Sequence, residues 1–166
     1  MAEKTPARCP MPTLDAAARA RTFDEVALGY TEEQARAEAA RCLGCKTRPC
    51  VSGCPVGVLI PDFLAAVREG EFERAYELIT RRTRLPAVCG RVCPQETQCE
   101  QKCVRGLKGQ PGAIGALERF VADRHRAHAS PLPPKQPDPA APKVAVSGSG
   151  PAGRSGAGEL AARGYA

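Results

Sequence analysis

Two runs of cysteines are the feature that most limits what this sequence can fold into. Eight of the nine cysteines lie in these runs. The first run contains Cys42, Cys45, Cys50 and Cys54, and the second contains Cys89, Cys93, Cys99 and Cys103. Each run includes a CxxxCP segment. Thiolates two to five residues apart on a turning backbone can supply several ligands to one inorganic centre, so the pattern predicts iron–sulfur clusters.

The spacing also indicates how the ligands could be shared. A [4Fe-4S] cluster needs four ligands, and in bacterial two-cluster ferredoxins the cysteine before the proline serves the other cluster. The first run here reads CxxCxxxxCxxxCP, with a middle gap two residues longer than in those ferredoxins, so a division into three plus one could still operate. The second run contains no CxxC pair.

Disulfides and structural zinc are the alternatives that the cysteines leave open. A disulfide framework requires an oxidising compartment, whereas the N-terminus has no apolar segment of the signal-peptide type and nine cysteines leave one unpaired. Zinc is the stronger alternative, because eight thiolates could hold two tetrahedral sites. Zinc sites typically use CxxC pairs, however, and only Cys42 and Cys45 form one. The pattern therefore favours clusters over zinc.

Composition predicts a protein with a thin core. The 166 residues include no Trp, three Tyr and four Phe, so Ala, Leu and Val must fill the interior and metal ligation would stabilise the fold. The formal net charge of +6 suggests an acidic partner or nucleic acid, but the few aromatic residues fall mostly at predicted core positions, which argues against nucleic acid. No segment has the roughly 20 apolar residues of a membrane span. A cytoplasmic protein with no membrane partner is predicted.

Basic residues flank the cysteines, namely Arg91, Lys102, Arg105 and Lys108. Positive charge beside a thiol stabilises the thiolate. These side chains are therefore predicted to lower the pKa values of the neighbouring cysteines.

Helices are predicted between and after the cysteine runs. Residues 1–30 are predicted to form an extended arm, and residues 31–129 a helical domain. Thr31 and Gln34 form a capping box that begins the first helix. Pro61 begins a second helix that Gly70 ends. A third helix has Phe72, Ala75, Tyr76 and Ile79 on one face, and a fourth runs roughly from Ala113 to Ala129 with Ile114, Leu117, Phe120 and Val121 on one face.

A second motif follows a proline-rich linker at residues 130–143. Val144 to Val146 are predicted to form a buried strand, Gly148, Gly150 and Gly153 form a GxGxxG turn, and a helix follows to about Arg163. This order is typical of the first unit of a dinucleotide-binding domain, in which the glycines let the backbone approach a pyrophosphate. Residues 144–166 lack the second strand and its acidic residue, so we expect an incomplete unit, a fragment of something longer.

Four segments resemble the N-terminal part of the NADPH-dependent glutamate synthase small chain family: RCLGCKTRPCVSGCPVGVLIPDF, LPAVCGRVCPQETQCEQKC, IGALERF and KVAVSGSGPAG. The same domain is known in dihydropyrimidine dehydrogenase and in the flavin subunit of electron-bifurcating ferredoxin:NADP oxidoreductases. The resemblance implies a mainly α fold, namely a helical domain with two [4Fe-4S] clusters followed by the start of a Rossmann-like FAD-binding domain. It also implies an oxidoreductase in which clusters carry electrons between flavin and a partner subunit. FAD and NADPH would bind only to a full-length form, and the fragment alone would not oxidise NADPH.

The resemblance further implies a ligand for each cluster position. Cys42, Cys45, Cys50 and Cys103 would hold the first cluster, and Cys54, Cys93, Cys99 and Glu118 the second. Cys89 would be a buried non-ligand and Cys9 an incidental thiol. Gly148, Gly150 and Gly153 would form the pyrophosphate turn for FAD. Arg154 departs from the family pattern, which usually has an apolar residue there, and this departure puts nucleotide binding by the segment in doubt.

Overall fold

The computed structural model describes residues 7–128 and 140–165, and this part of the chain is mainly helical. Its α-helices are α1 (Ala16–Arg19), α2 (Glu32–Ala40), α3 (Pro49–Ser52), α4 (Ile60–Glu69), α5 (Phe72–Thr80), α6 (Pro86–Val92), α7 (Ile114–His128) and α8 (Pro151–Ala162). Two 3₁₀ turns, Gln95–Thr97 and Val104–Leu107, lie between α6 and α7. The predicted α class is confirmed.

The capping box predicted for the first long helix is present at the start of α2. The Thr31 hydroxyl accepts a hydrogen bond from the Gln34 backbone N–H at 3.3 Å. The side-chain oxygen of Gln34 accepts one from the Thr31 backbone N–H at 2.9 Å. These bonds satisfy two donors that a helix N-terminus would otherwise leave unpaired. The helix ends at Ala40, so that Cys42 and Cys45 follow it on a loop.

Helices α4 and α5 form the hairpin that separates the two cysteine runs. Pro61 lies in the first turn of α4, where its missing N–H is not needed, and Gly70 ends the helix in the left-handed conformation with φ of 85°. Phe63 and Val67 on α4 and Ile79 on α5 are completely buried. The hairpin supplies a large share of the apolar core.

Helix α7 lies at the centre of the domain and contacts α2, α4, α5 and α6. Its predicted apolar face is buried, with Leu117 and Val121 almost inaccessible to solvent. Phe120 packs edge-on against Phe72 of α5, with ring centroids 5.3 Å apart. The predicted last residue of this helix, Ala129, lies outside the described residues. Because α7 contacts both the hairpin and α6, it brings the surroundings of the two cysteine runs together.

The N-terminal arm folds back on itself. An antiparallel β-bridge joins Thr13 to Ala27, and the Tyr30 hydroxyl donates to the Cys9 carbonyl at 2.6 Å. The short helix α1, capped by Asp15, interrupts the extended backbone that we predicted. Residues 1–6 of the predicted arm are outside the described part.

The strand predicted for residues 144–146 does not form. A strand depends on a neighbour for its backbone hydrogen bonds, and no other described segment pairs with these residues. The following helix is present as α8, and Gly148 before it has a φ of 101° that favours glycine. Arg84 contacts α8 through an ion pair with Glu159 at 2.9 Å. Most of the predicted linker, residues 130–139, lies outside the described residues.

Within residues 7–128 and 140–165, no helix combines the length and the apolar character needed to cross a membrane.

Candidate metal centres

The first predicted ligand group lies around one cavity. Cys42, Cys45, Cys50 and Cys103 all line it. The loop after α2 supplies the first two, α3 supplies Cys50, and Cys103 directly precedes the second 3₁₀ turn. Two backbone reversals shape this loop, at Gly44 with φ of 59° and at Arg48 with φ of 47°. The structure therefore brings together four thiols from two distant parts of the chain.

The surroundings of this first group are largely apolar. Ile60, Leu64 and Leu117 line the cavity beside the thiols. Burial raises the pKa of Cys42 above its usual range and that of Cys50 to about 11, with a further contribution from the neighbouring thiols. The Gly112 N–H donates to the Cys103 sulfur at 3.4 Å. Closely placed thiolates in such surroundings are stabilised when they ligate a cationic metal centre.

The second predicted group also assembles. Cys93 and Cys99 each interact electrostatically with both Cys54 and Glu118. Cys93 directly follows α6, Cys99 follows the first 3₁₀ turn, and Glu118 projects from α7. Burial raises the pKa of Cys93 to about 11, and the Cys89 thiol adds to that shift. Burial raises the pKa of Cys99 to about 12, and the Glu100 carboxylate adds to that shift. The four residues come from four separate parts of the chain, and none of them lines the cavity of the first group.

Glu118 is a buried carboxyl group with an unused oxygen. Glu118 is 8% exposed, and burial raises the pKa of its carboxyl group to about 7. Its Oε1 atom is buried and has no hydrogen-bond partner among the described residues. A buried acceptor without a partner is costly and needs an explanation. Ligation of a metal centre at this position would satisfy the oxygen, so the donor set of three thiols and one carboxylate fits a cluster.

Comparison with known proteins identifies the domain. Residues 19–130 match the family model described as dihydropyrimidine dehydrogenase domain II, 4Fe-4S cluster. The chain belongs to this family. The resemblance inferred from the cysteine runs is thereby confirmed, and most of this iron–sulfur domain lies in residues 31–128, between the predicted arm and linker.

Curated relatives match over nearly the whole chain. The glutamate synthase (NADPH) small chain of Azospirillum brasilense is 36% identical over 151 residues, which are 90% of this chain and 31% of the relative. The protein of the same name from Mycobacterium tuberculosis H37Rv is 35% identical over 98% of this chain and 32% of its own length. An NAD-dependent dihydropyrimidine dehydrogenase subunit PreT homolog from Salmonella typhi is 36% identical over 86% of this chain and 34% of its own length. The chain spans about a third of the length of these relatives.

Two cysteines, Cys89 and Cys9, lie outside the two groups as assigned. Cys89 lies on α6 and is only half-buried, not buried as predicted. Its sulfur is 3.7 Å from the Thr83 hydroxyl, and it also interacts with Cys93. Cys9 lies on the N-terminal arm, where its sulfur contacts the Pro10 carbonyl. None of the nine cysteines, all of which are described, forms a disulfide.

The thiols of each group are not close enough together to share one metal ion. Among the described residues, no three His, Cys, Asp or Glu side chains are placed to share a single metal ion. A four-iron cluster accepts one ligand at each of its four irons, so its ligands are separated by the cluster itself.

The prediction that basic residues lower the thiol pKa values is wrong for four of the thiols in the two groups. The pKa values of Cys42, Cys50, Cys93 and Cys99 are all raised, because burial outweighs any positive neighbour. Arg91 is engaged instead by the carboxylates of Glu25 and Asp123, at 2.7 Å each.

Two residues that the sequence did not single out line the cavity of the first group. Glu38 and Arg41, 2% and 3% exposed, line its cavity and form an ion pair at 2.5 Å. Glu38 also accepts from the N–H groups of Cys9 at 2.7 Å and Ala113 at 2.9 Å. Arg41 donates to the Gln110 carbonyl at 2.8 Å. The pair therefore ties α2 to the N-terminal arm and to the loop between Cys103 and α7.

Proposed function

We propose that the chain binds two [4Fe-4S] clusters and passes single electrons between a flavin and the redox centre of a partner subunit. One observation supports this proposal above the others. The eight proposed ligands are spread from Cys42 to Glu118 in the sequence, yet four of the thiols line one cavity. In addition, Cys93 and Cys99 each interact electrostatically with both Cys54 and Glu118. The names of the curated relatives, glutamate synthase (NADPH) small chain and dihydropyrimidine dehydrogenase subunit, agree with a part in an oxidoreductase.

The first cluster would be held by Cys42, Cys45, Cys50 and Cys103, and the second by Cys54, Cys93, Cys99 and Glu118. A bound [4Fe-4S] cluster takes up and releases one electron without any acid, base or nucleophile. The chain's own residues set the conditions for that exchange. Ile60, Leu64 and Leu117 make the surroundings of the first group apolar, and the Gly112 N–H directs its partial positive charge towards the Cys103 sulfur.

Glu118 would make the two centres unequal. A carboxylate oxygen is a harder ligand than a thiolate and changes the potential of the centre that it binds. Its burial on α7 holds it in place beside Cys93 and Cys99. We infer that the chain offers an electron two sites of different potential.

The glycines at the start of α8 would be the first turn of a flavin-binding domain. Gly148 adopts a positive φ, and Gly153 packs so closely on the Gly148 carbonyl that a side chain would not fit there. These are the properties that a GxGxxG turn requires for a pyrophosphate. Flavin and NADPH would bind only to a longer chain, and the partner would be a large oxidoreductase subunit.

The proposal is tested by iron and acid-labile sulfide analysis of anaerobically purified protein. Two clusters require about eight iron and about eight sulfide per chain. We expect a brown protein that bleaches when dithionite reduces it. A colourless protein that contains about two zinc ions per chain would show that the cysteines form structural zinc sites and would overturn the proposal.

Replacing Glu118 by alanine tests the carboxylate ligand. Because the second group would lose one of four ligands, we expect the iron content to fall from about eight towards about four, while the electron paramagnetic resonance signal of the first centre persists. Glu118→Gln retains a ligand oxygen and should retain the second centre with an altered signal.

Cys89→Ser is the matched variant for the same measurement. Cys89 lies beside Cys93 but is not a proposed ligand, so its loss should leave both signals unchanged. Loss of iron in Cys89→Ser together with an unchanged signal in Glu118→Ala would show that the thiol, not the carboxylate, is the eighth ligand.

A further inference from the structure

An exposed surface surrounds the first cysteine cavity. We name it the basic rim and define it by six residues: Leu43, Lys46, Val104, Arg105, Leu107 and Lys108. Leu43, Val104 and Arg105 line the cavity itself. The rim consists of the segments that directly follow Cys42 and Cys103, and Arg105 of the second segment donates to the carbonyl of Arg41, the residue before Cys42. A molecule bound to the rim would lie next to the first ligand group.

The rim exposes large apolar side chains. Leu43 is 56% exposed and Leu107 is 81% exposed, although other leucines of the domain, such as Leu64 and Leu117, are buried in the core. Scattered exposed apolar residues need no explanation. Here, however, Leu43 lines the cavity, and Leu107 follows Val104 and Arg105, which also line it. Such residues typically form the dry centre of a protein–protein interface.

The charge of the rim is positive. Lys46 and Lys108 are exposed, and neither forms an ion pair with another described residue. The charged residues nearby balance each other, since Arg48 pairs with Asp62 at 2.5 Å and Arg68 pairs with Glu69 at 3.3 Å. Lys46, Arg105 and Lys108 therefore give the rim a net charge that these neighbours do not cancel.

We propose that the basic rim is the docking surface for an acidic redox protein, which exchanges an electron with the first centre. This inference rests on the proposed function. The apolar residues would exclude water at the contact, while the lysines would attract and orient an acidic partner. One electron leaves the reduced centre and reduces the oxidised centre of the partner, or passes in the opposite direction, and no covalent bond forms or breaks.

Two electron acceptors of opposite charge test the proposal. The iron-loaded chain is reduced anaerobically with dithionite, separated from excess reductant and mixed in a stopped-flow instrument with an acidic blue-copper protein or with basic cytochrome c. Each acceptor gains one electron, as Cu(II) becomes Cu(I) or Fe(III) becomes Fe(II). We expect the acidic acceptor to react faster at low ionic strength, and its rate constant to fall as salt is added.

Charge reversal on the rim should remove this preference. We expect Lys46→Glu/Lys108→Glu to lower the second-order rate constant with the acidic acceptor at low salt by about 10-fold or more, and to raise that with cytochrome c. The control is Arg81→Glu/Arg82→Glu, which makes the same change in net charge at exposed residues after α5. The control should retain most of the wild-type rate.

The outcomes separate the two proposals. Equal rates for the rim variant and the control variant, at wild-type iron content, would show that the basic rim is not the docking surface. That result would not contradict the proposed clusters. A rate that does not depend on salt or on the charge of the acceptor would also overturn the docking surface. Absence of iron from the wild-type protein would overturn the proposed function itself, before any acceptor is added.

Discussion

Arg41→Met is expected to destabilise the helical domain by about 3–5 kcal/mol, because it leaves the buried carboxylate of Glu38 without its cation. The side chains of Glu38 and Arg41 are 0% and 3% exposed. Methionine occupies much of the volume of the arginine stem, so the loss is chiefly that of the charge and of the bonds to Gln110 and Pro111. Helical circular dichroism in a fixed concentration of urea gives the rate of unfolding, which we expect to rise at least about 10-fold.

The matched control for Arg41→Met is Arg74→Met. Arg74 also pairs with a glutamate three residues before it, Glu71, but those side chains are 66% and 48% exposed. Exposed pairs contribute about 0–1 kcal/mol, so Arg74→Met should unfold at nearly the wild-type rate. In the double variant Glu38→Gln/Arg41→Met the uncompensated charge is gone, and we expect it to unfold more slowly than Arg41→Met alone. Equal unfolding rates for Arg41→Met and Arg74→Met would contradict the importance of the buried pair.

The pair also shows where local sequence patterns stop predicting the structure. The capping box at Thr31 and the glycine at position 70 determine where helices begin and end through contacts within a few residues, and both predictions are confirmed. The sequence did not single out Glu38, and its burial depends on residues 110–113, which lie more than 70 positions away. One local signal was present, because Ala35, Glu38 and Ala39 share a face of α2 on which the two alanines are buried.

The sequence indicates the thiol ligands of the candidate site more directly than it indicates the carboxylate ligand. The cysteine runs indicate clusters because thiolates at such spacings have few other uses. Glu118 has no such signature, and only the family resemblance distinguishes it from a solvated helix residue. In the structure, its buried and unpartnered oxygen provides an independent reason to consider it a ligand.

Two of the wrong predictions have a common physical cause. The strand at residues 144–146 and the lowered thiol pKa values were both inferred from neighbours in the sequence. A strand needs a partner in space, and a thiol pKa depends on burial, which is set by elements such as α4 and α7. Neither property is contained in the local sequence.

Gly90→Ala is expected to separate α6 from α7, with consequences for the second ligand group. A methyl group at residue 90 would lie 2.6 Å from the backbone nitrogen of Arg119 and 2.8 Å from its Cα. Arg119 lies within α7, which is fixed in the core, so α6 must move and carry Cys93 with it. Overpacking of this kind costs about 1–3 kcal/mol or more. We therefore expect faster unfolding in urea, and loss of iron from the second centre before the first.

Two other glycine substitutions show whether the backbone contact causes this effect. Gly115→Ala on α7 would meet the side chain of Gln95, which can turn away, although its bond to the Cys89 carbonyl would be lost. Gly156→Ala on α8 would meet nothing within 4 Å, and alanine favours the helix by up to about 1 kcal/mol. The expected order of destabilisation is Gly90→Ala, then Gly115→Ala, with Gly156→Ala neutral or stabilising. If Gly90→Ala unfolded no faster than Gly115→Ala and retained all its iron, close packing of α6 on the α7 backbone would not be what holds Cys93 in place.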